Sequence, residues 1–256
     1  MMRKSMLKGK KGIVLGLANE KSIAFAVAKK LSEQGAEVVA TCLNQKAYDV
    51  VSPLLTNTTV DLQTCNVAQD GDVEKFIDYS KSKLTEFDFV VHSIAWAPLE
   101  DLHGRVIDSS STGFARAMEI SCHSFASLGK LASQHMKHGG SLITMTYLGA
   151  DEVVPHYGLM GPVKAALESL VRYMASELGG DGIRVHAVSP GPIPTRAASG
   201  IDSFDELMRD AIARAPLKRL VTLDEVANLT TFLCSDLSSG MTGQTIYVDG
   251  GCHAIA

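Results

Sequence analysis

The sequence predicts a single α/β domain in which helices cover both faces of a doubly wound, parallel, seven-stranded sheet. Two observations carry this prediction. Short apolar segments rich in β-branched residues alternate with segments whose apolar positions recur at the helical period. No linker, internal repeat or low-complexity tract divides the chain, so residues 1–256 are expected to form one folding unit.

Each predicted strand is a short apolar run next to a turn signal or a helical pattern. In chain order the predicted strands span residues 12–17, 36–41, 60–65, 87–93, 141–146, 182–189 and 244–250. The first two strands flank a helical segment that Gly35 is placed to end, which makes a βαβ unit. Because crossovers between parallel strands are right-handed, the helices are expected on both faces of the sheet.

The later helical segments keep the same period of 3.6 residues. They are predicted over residues 70–85, 110–138, 203–214 and 222–235. Another helix is predicted to begin near Pro155–Tyr157, to contain Pro162 in its first turns and to continue until Gly179 stops it. Proline is tolerated there because the first N–H groups of a helix have no intrahelical acceptor.

The composition argues against several classes of function. A net charge of −4 gives no electrostatic case for binding nucleic acid, and the chain has no run of about 18 apolar residues that could span a membrane. The five cysteines form no Cys-x-x-Cys pair, which is typical of reduced thiols in a cytoplasmic protein. The eight histidines show no His-Glu-x-x-His spacing, so no metal site is expected.

Four loops are predicted at the carboxyl ends of the strands, where open α/β sheets bind ligands. They are residues 16–22, 92–98, 144–147 and 190–195. The first loop leads from a strand into a helix, and the free N–H groups at such a helix N-terminus favour a phosphate. Because the four loops converge on one crevice, the sequence predicts the functional site there.

Tyr157 and Lys164 are seven positions apart, which is about two helical turns and puts both on one predicted helix face. A phenol can donate a proton to a developing oxyanion, and a nearby ammonium lowers the pKa of the phenol. Alone, this pair is weak evidence, because a core tyrosine and a solvated lysine meet the same spacing by chance.

Six motifs stand at or near the predicted loops and strengthen this interpretation. They are Gly16-x5-Ser22-x-Ala24, His92-Ser93-Ile94-Ala95-Trp96-Ala97-Pro98, Tyr147-Leu-Gly-Ala, Tyr157-x-x-Met160-Gly with Lys164, Gly191-Pro192-Ile193, and Val248-Asp249-Gly250-Gly251. Together they resemble the short-chain dehydrogenase/reductases, and within them the divergent branch of enoyl-acyl-carrier-protein reductases. The resemblance runs over roughly residues 7–253.

This resemblance implies a Rossmann-like fold and NAD(P)H-dependent reduction of trans-2-enoyl thioesters on acyl carrier protein in fatty-acid biosynthesis. Hydride transfer to the β-carbon leaves negative charge on the thioester oxygen, and Tyr157 would donate to that oxygen. Lys164 would bind the nicotinamide ribose hydroxyls and add positive potential. Tyr147 would flank the substrate, either as a proton donor or as a wall of the pocket.

The resemblance also implies which residues contact the cofactor and the substrate. The cofactor residues would be Gly16, Ser22, Ile23, Leu43, Asn66, Val67, Ser93, Ile94, Ala95, Lys164, Ile193 and Thr195. The substrate residues would be Ala95, Tyr147, Tyr157, Met160, Pro192, Ile201, Phe204 and Leu207. Residues 190–215 would form a lid whose apolar side chains suit an acyl chain.

The end of the second strand normally distinguishes NAD from NADP, because an Asp or Glu there binds the ribose 2′-hydroxyl of NAD. Residues 41–46 contain neither an acid nor an arginine, and Lys46 is the nearby cation. Many NADH-using members of the family have glutamine where this chain has Leu43. NADH is therefore favoured, with NADPH as the alternative.

The family builds homotetramers through helices that correspond to residues 112–136 and 157–178, so a homotetramer is expected. Two other functions stay open. A carbonyl or 3-oxoacyl reductase would use the same Tyr157 and Lys164 with a hydroxyl 13 positions before the tyrosine, where Thr144 stands. A non-catalytic dinucleotide sensor could share the fold, although the retained tyrosine and lysine argue against it.

Overall fold

The computed structural model describes residues 5–195 and 198–255, and these contain seven β-strands. The strands are β1 (Lys11–Leu17), β2 (Glu37–Cys42), β3 (Val60–Thr64), β4 (Phe89–His92), β5 (Gly140–Met145), β6 (Ile183–Pro190) and β7 (Gln244–Val248). All seven were predicted, and their bounds differ from the predicted ones by two residues at most. Short apolar runs were therefore a reliable signal for this buried sheet.

Nine α-helices accompany the strands within the described residues. They are α1 (Ile23–Glu33), α2 (Gln45–Val51), α3 (Asp72–Leu84), α4 (Leu99–Leu102), α5 (Ser111–Met118), α6 (Ser124–Ser133), α7 (Met160–Leu178), α8 (Phe204–Arg214) and α9 (Leu223–Cys234). None of these helices is both long enough and apolar enough to cross a membrane.

The sheet is parallel throughout, with the strand order β3-β2-β1-β4-β5-β6-β7. The winding reverses between β1 and β4, which makes this pair the topological switch point. The register places Leu15 opposite His92, so the loops that follow β1 and β4 leave the sheet side by side. This is the point of the sheet at which the predicted ligand crevice is expected.

Alternate residues of each strand face two separate cores. In β1, Ile13 and Leu15 belong to a buried cluster shared with α3, α6 and α7, whereas Val14 belongs to one shared with α1 and α9. This alternation follows from the two-residue period of a strand. It confirms the doubly wound arrangement with helices on both faces.

The helix that carries Lys164 begins later than predicted. The predicted start near Pro155–Tyr157 is wrong, because α7 begins at Met160 and leaves Tyr157 in the preceding turn. His156 and Gly158 have positive φ values of 63° and 49°, which a right-handed helix does not accommodate. Pro162 is the third residue of α7, where its missing N–H removes no helical hydrogen bond.

The predicted helix over residues 110–138 is interrupted and ends early. A π-helical turn, Glu119–His123, separates α5 from α6, and α6 ends at Ser133. Two helices were not predicted at all. They are α2, in which Asn44 accepts from the Ala47 N–H at 3.0 Å as the N-cap, and the single turn of α4.

Candidate active site

The turn after the first strand allows a close approach between two backbones. Gly16 has a φ of +105°, and a Cβ there would lie 2.2 Å from the carbonyl oxygen of Ser93, so a side chain does not fit. Ser22 stands at the N-cap of α1, but its hydroxyl donates to the Asn19 carbonyl at 2.8 Å instead of capping the helix. The first backbone N–H groups of α1, from Ile23 onward, therefore have no side-chain cap and could donate to a ligand.

The loop after β4 borders this turn. Ser93 and Ile94 are half-buried and Ala95 is exposed. Ser121, from the π-helical turn, fixes the loop at Trp96, because its hydroxyl accepts from the Trp96 N–H and donates to the Trp96 carbonyl, each at 2.8 Å. The π-turn thus has a structural task, since it directs Ser121 at the backbone beside the crevice.

Three predicted cofactor residues lie beyond the ends of β2 and β3. The Leu43 side chain is 58% exposed. Val67 packs against the core, and Asn66 Oδ1 accepts from the Ala68 N–H at 3.1 Å. A carbonyl oxygen has two lone pairs. The contact of Asn66 with an adenine amino group therefore stays a prediction.

Tyr147 and Tyr157 face each other in front of α7. Their ring centroids are 4.8 Å apart and their planes are inclined at 61°. Gly149 makes room for this contact, because a Cβ there would lie 2.4 Å from the Tyr157 ring. Burial raises the pKa of both tyrosines, and Tyr147 adds to the shift at Tyr157. Both phenols therefore hold their protons at neutral pH and can donate them.

Lys164 is the buried cation of the site, with 4% of the residue exposed. Its Nζ donates to the carbonyl of Met145, the last residue of β5, at 2.8 Å. Burial lowers the pKa of Lys164 to about 8, against the raising effects of Cys122 and Glu168. Met145 is its one hydrogen-bond acceptor among the described residues. An ammonium has three N–H donors, so two remain for a ligand.

Thr144, His92 and Ser124 form a buried chain of hydrogen bonds between β4, β5 and α6. The Thr144 hydroxyl lies 3.0 Å from His92 Nδ1, and His92 Nε2 lies 2.8 Å from Ser124 Oγ. Ser124 donates its own hydrogen to the Ile120 carbonyl, so His92 donates from Nε2 and accepts from Thr144 at Nδ1. Burial and Lys164 lower the pKa of His92 to about 3, so the ring is neutral. The Thr144 hydroxyl therefore donates its hydrogen to a buried side chain of the fold.

The predicted substrate residues differ in their degree of burial, and their contacts with a substrate stay a prediction. Tyr157, Met160, Pro192 and Leu207 are buried; Tyr147, Ile201 and Phe204 are half-buried; Ala95 is exposed. Of the two remaining cofactor residues, Ile193 is buried, and Thr195 Oγ1 accepts from the Ala198 N–H at 3.1 Å.

The predicted lid, residues 190–215, is tied to neighbouring loops in its described part. The contacts are His103 Nε2 to the Gly200 carbonyl oxygen at 2.8 Å, His156 Nδ1 to Asp202 Oδ2 at 3.5 Å, and Arg214 Nη2 to Glu152 Oε2 at 3.0 Å. Arg196 and Ala197 of the lid lie outside the described residues. The last contact joins the end of α8 to the loop that follows Tyr147.

Three buried side chains that form hydrogen bonds next to site residues were missed from the sequence. Ser121 and Ser124 are polar positions on the helix face that also carries the apolar residues Ala117 and Leu128, which was the available signal. Glu168 follows Lys164 by four positions, which is the spacing of one helix face. No group of three or more His, Cys, Asp or Glu side chains within residues 5–195 and 198–255 could hold a metal ion.

Comparison with known proteins shows one family over nearly the whole chain. The model of a family described as "Enoyl-(Acyl carrier protein) reductase" matches residues 16–253. Enoyl-[acyl-carrier-protein] reductase [NADH] 1 of Rhizobium meliloti is 43% identical over 98% of this chain and 92% of its own length. Both the sheet and the surrounding loops are therefore shared with this group.

Solved structures agree with this. The enoyl-acyl-carrier-protein reductase of Anaplasma phagocytophilum in complex with NAD has a TM-score of 0.95 and 40% identity, covering 100% of this chain and 98% of that one. The enzyme of Bacillus cereus with NADP+ and an indole naphthyridinone has a TM-score of 0.94 and 37% identity, covering 98% and 99%. The chain belongs to the enoyl-(acyl carrier protein) reductase family.

Proposed function

We propose that the chain reduces the trans-2 double bond of an enoyl thioester on acyl carrier protein, with NADH as the hydride donor, in fatty-acid biosynthesis. Membership of the family supports this activity, and the Rhizobium relative carries both NADH and acyl carrier protein in its name. The observation that favours this activity over carbonyl reduction is the Tyr147–Tyr157 pair together with the committed Thr144 hydroxyl. A carbonyl reductase would need that hydroxyl turned to the substrate.

The residues of the crevice fit a dinucleotide. Gly16 brings the turn after β1 against Ser93 without a side chain between them, and Ser22 leaves the first N–H groups of α1 uncapped. These groups and the helix dipole suit a pyrophosphate. Lys164 has two N–H donors for ribose hydroxyls beyond its bond to Met145. The contacts of the other predicted cofactor residues belong to the same proposal.

In this mechanism bound NADH would supply the hydride. Tyr157 holds a proton through its raised pKa and donates a hydrogen bond to the thioester oxygen as negative charge develops there. Lys164 orients the ribose and adds positive potential close to that charge. Tyr147 packs on Tyr157 and fixes the direction of its ring, and it also excludes water from that side.

The choice of NADH over NADPH rests on the end of β2. Leu43 is exposed and uncharged, so it offers a 2′-phosphate no ion pair. Lys46, in the first turn of α2, is the nearby cation in the sequence. We expect kcat/KM to be higher with NADH than with NADPH. The substitution Leu43→Arg should reduce this ratio of the two kcat/KM values. Nicotinamide oxidation with one enoyl substrate measures both values.

The lid is assigned to residues 190–215, with α8 as its rigid part. Leu207 is buried, and Phe204 lies half-buried on the same helix. These apolar side chains suit an acyl chain. The ion pair of Arg214 with Glu152 holds the end of the lid near Tyr147.

We assign a homotetramer to the chain. A groove runs between α5, α6 and α7, and its lining is largely apolar: Ala115, Met118, Cys122, Ala126, Ala166 and Leu170, with Tyr173 67% exposed beside it. A second copy of the same helices would cover this groove. Sedimentation equilibrium should give four subunits, and Tyr173→Glu together with Ala166→Glu should reduce that number; a monomeric wild type would contradict the assignment.

A cytoplasmic location belongs to the same proposal. All five cysteines are buried, and none forms a disulfide. Free thiols are typical of a reducing compartment.

Nicotinamide oxidation by the purified protein tests the activity. NADH should be consumed with a trans-2-enoyl thioester of acyl carrier protein, and at a far lower rate with the matched 3-oxoacyl thioester. Turnover with the 3-oxoacyl thioester alone would show a carbonyl reductase. Binding of NADH without turnover of either substrate would show a non-catalytic sensor.

A further inference from the structure

Glu168 on α7 is a buried carboxylate that two hydroxyl groups satisfy. It is 6% exposed, and its Oε1 accepts from Thr146 at 2.6 Å while its Oε2 accepts from Thr245 at 3.0 Å. Arg172, one helical turn later, acts on it through charge without a hydrogen bond among the described residues. A buried carboxylate without a bonded cation is costly for a fold. The burial of Glu168 is therefore not explained by a gain in stability.

The two hydrogen bonds join three elements. Glu168 belongs to α7, Thr245 to β7, and Thr146 directly follows β5. Thr146 is also held through its backbone, because its N–H donates to the Val188 carbonyl of β6 at 2.8 Å. With the backbone bonded on one side and the hydroxyl on the other, Thr146 is fixed in position and direction.

The two neighbours of Thr146 both belong to the active site. The carbonyl of Met145 accepts from Lys164 Nζ at 2.8 Å, and the ring of Tyr147 packs 4.8 Å from that of Tyr157. A rotation of the chain at Thr146 would move the acceptor of the lysine and the tyrosine ring together. Displacements of about 1 Å in such groups can cost 10²-fold in rate.

The charge of Glu168 also raises the pKa of Lys164. Four positions separate it from Lys164, so both lie on one face of α7. The other titratable groups that face Lys164 are Cys122 and the neutral His92. Cys122 and, to a smaller extent, Glu168 raise the pKa of Lys164 against the effect of burial, and Glu168 is the carboxylate of the two.

We infer that Glu168 is a positioning residue of the reductase, which holds Thr146, and through it Met145 and Tyr147, in the geometry that Lys164 and Tyr157 require. The inference rests on the proposed function, because its readout is enoyl reduction. Thr245, on the edge strand β7, satisfies the second oxygen, and its chain neighbours Gln244 and Ile246 are not among the predicted site residues.

Four variants test this inference with an enoyl thioester and NADH. Glu168→Gln should lower kcat by about tenfold or more and move the alkaline fall of kcat/KM to lower pH, because the uncharged amide no longer favours protonated Lys164. Thr146→Val should lower kcat similarly. Thr245→Val should leave kcat within about twofold of the wild type. Glu177→Gln, an exposed glutamate of the same helix, is the matched control.

Equal losses of kcat in Thr146→Val and Thr245→Val would overturn the inference, because a merely structural carboxylate needs both partners equally. So would an unchanged kcat and pH profile in Glu168→Gln. If that variant does not fold, the two threonine variants still decide the question. An inactive wild type would instead contradict the proposed function, so the two failures are distinguishable.

Discussion

The role proposed for Tyr157 depends on its burial more than on its spacing from Lys164. The side chain precedes α7, is 7% exposed and packs against Tyr147. Its raised pKa keeps the phenol protonated, which is the state that a hydrogen-bond donor to an oxyanion needs. The role of Tyr157 stays a prediction, and the shared helix face that suggested it is wrong, because Tyr157 lies before the start of α7.

Replacing Tyr157 by phenylalanine keeps the ring and removes the donor. We expect kcat to fall by about 10²–10³-fold, with the Kd of NADH nearly unchanged. Steady-state kinetics and fluorescence titration of NADH check this. Tyr173→Phe, on an α7 tyrosine beside the proposed subunit groove and outside the predicted catalytic and cofactor residues, is the matched control and should leave kcat unchanged. Unaltered turnover in Tyr157→Phe would show that another group donates to the oxyanion.

Lys164 destabilises the fold that it serves. Its pKa of about 8 lies below the usual 10.5, so the folded state binds fewer protons than the unfolded state between these pH values. The destabilisation caused by the buried charge therefore decreases, and the free energy of unfolding increases, as the pH rises from about 8 toward 10.5. Below that window the full cost of burying the charge is present.

Lys164→Met should accordingly abolish turnover and raise the free energy of unfolding at pH 7 by about 1–3 kcal/mol. The difference from wild type should shrink as the pH is raised toward 10, as urea unfolding can measure. Lys130→Met, on an exposed lysine of α6, controls for the substitution itself. A loss of stability in Lys164→Met at pH 7 would contradict this account of the buried charge.

At the scale of elements, all seven strands were predictable, whereas α2, α4, the π-turn inside the predicted helix 110–138 and the start of α7 were not. Two left-handed residues, His156 and Gly158, delay the start of α7. Glycine at 158 was a readable signal, but a left-handed histidine was not. The π-turn at Glu119–His123 forms hydrogen bonds with residues far away in the chain, such as Trp96. The local sequence pattern does not predict such long-range contacts.

Gly149 connects the turn after β5 to the position of Tyr157. Gly149→Ala is expected to displace the Tyr157 ring, since the new Cβ would lie 2.4 Å from it, and to lower kcat by about tenfold or more. NADH affinity should be retained. Gly180→Ala, where nothing lies within 4 Å of an added Cβ, is the control for kinetics and thermal unfolding. A fully active Gly149→Ala would mean that Tyr157 tolerates displacement.

At the scale of the whole molecule, the number of strands and the two-faced sheet followed from alternating apolar patterns. The strand order did not, because it depends on pairing between segments far apart in the chain, such as β1 with β4. That pairing is what brings the Gly16 turn beside Ser93 and creates the crevice. Most cofactor and substrate contacts were assigned by resemblance, and they stay predictions.

The path of the hydride tests the central claim most directly. With NADH deuterated at the transferable position, the account predicts one deuterium at the β-carbon of the saturated thioester and a solvent proton at the α-carbon, as product NMR or mass spectrometry can measure. The same labelled NADH is also offered with the matched 3-oxoacyl thioester. If deuterium appears only at the carbinol carbon of the alcohol formed from that substrate, and none appears in a saturated thioester, the central claim is contradicted.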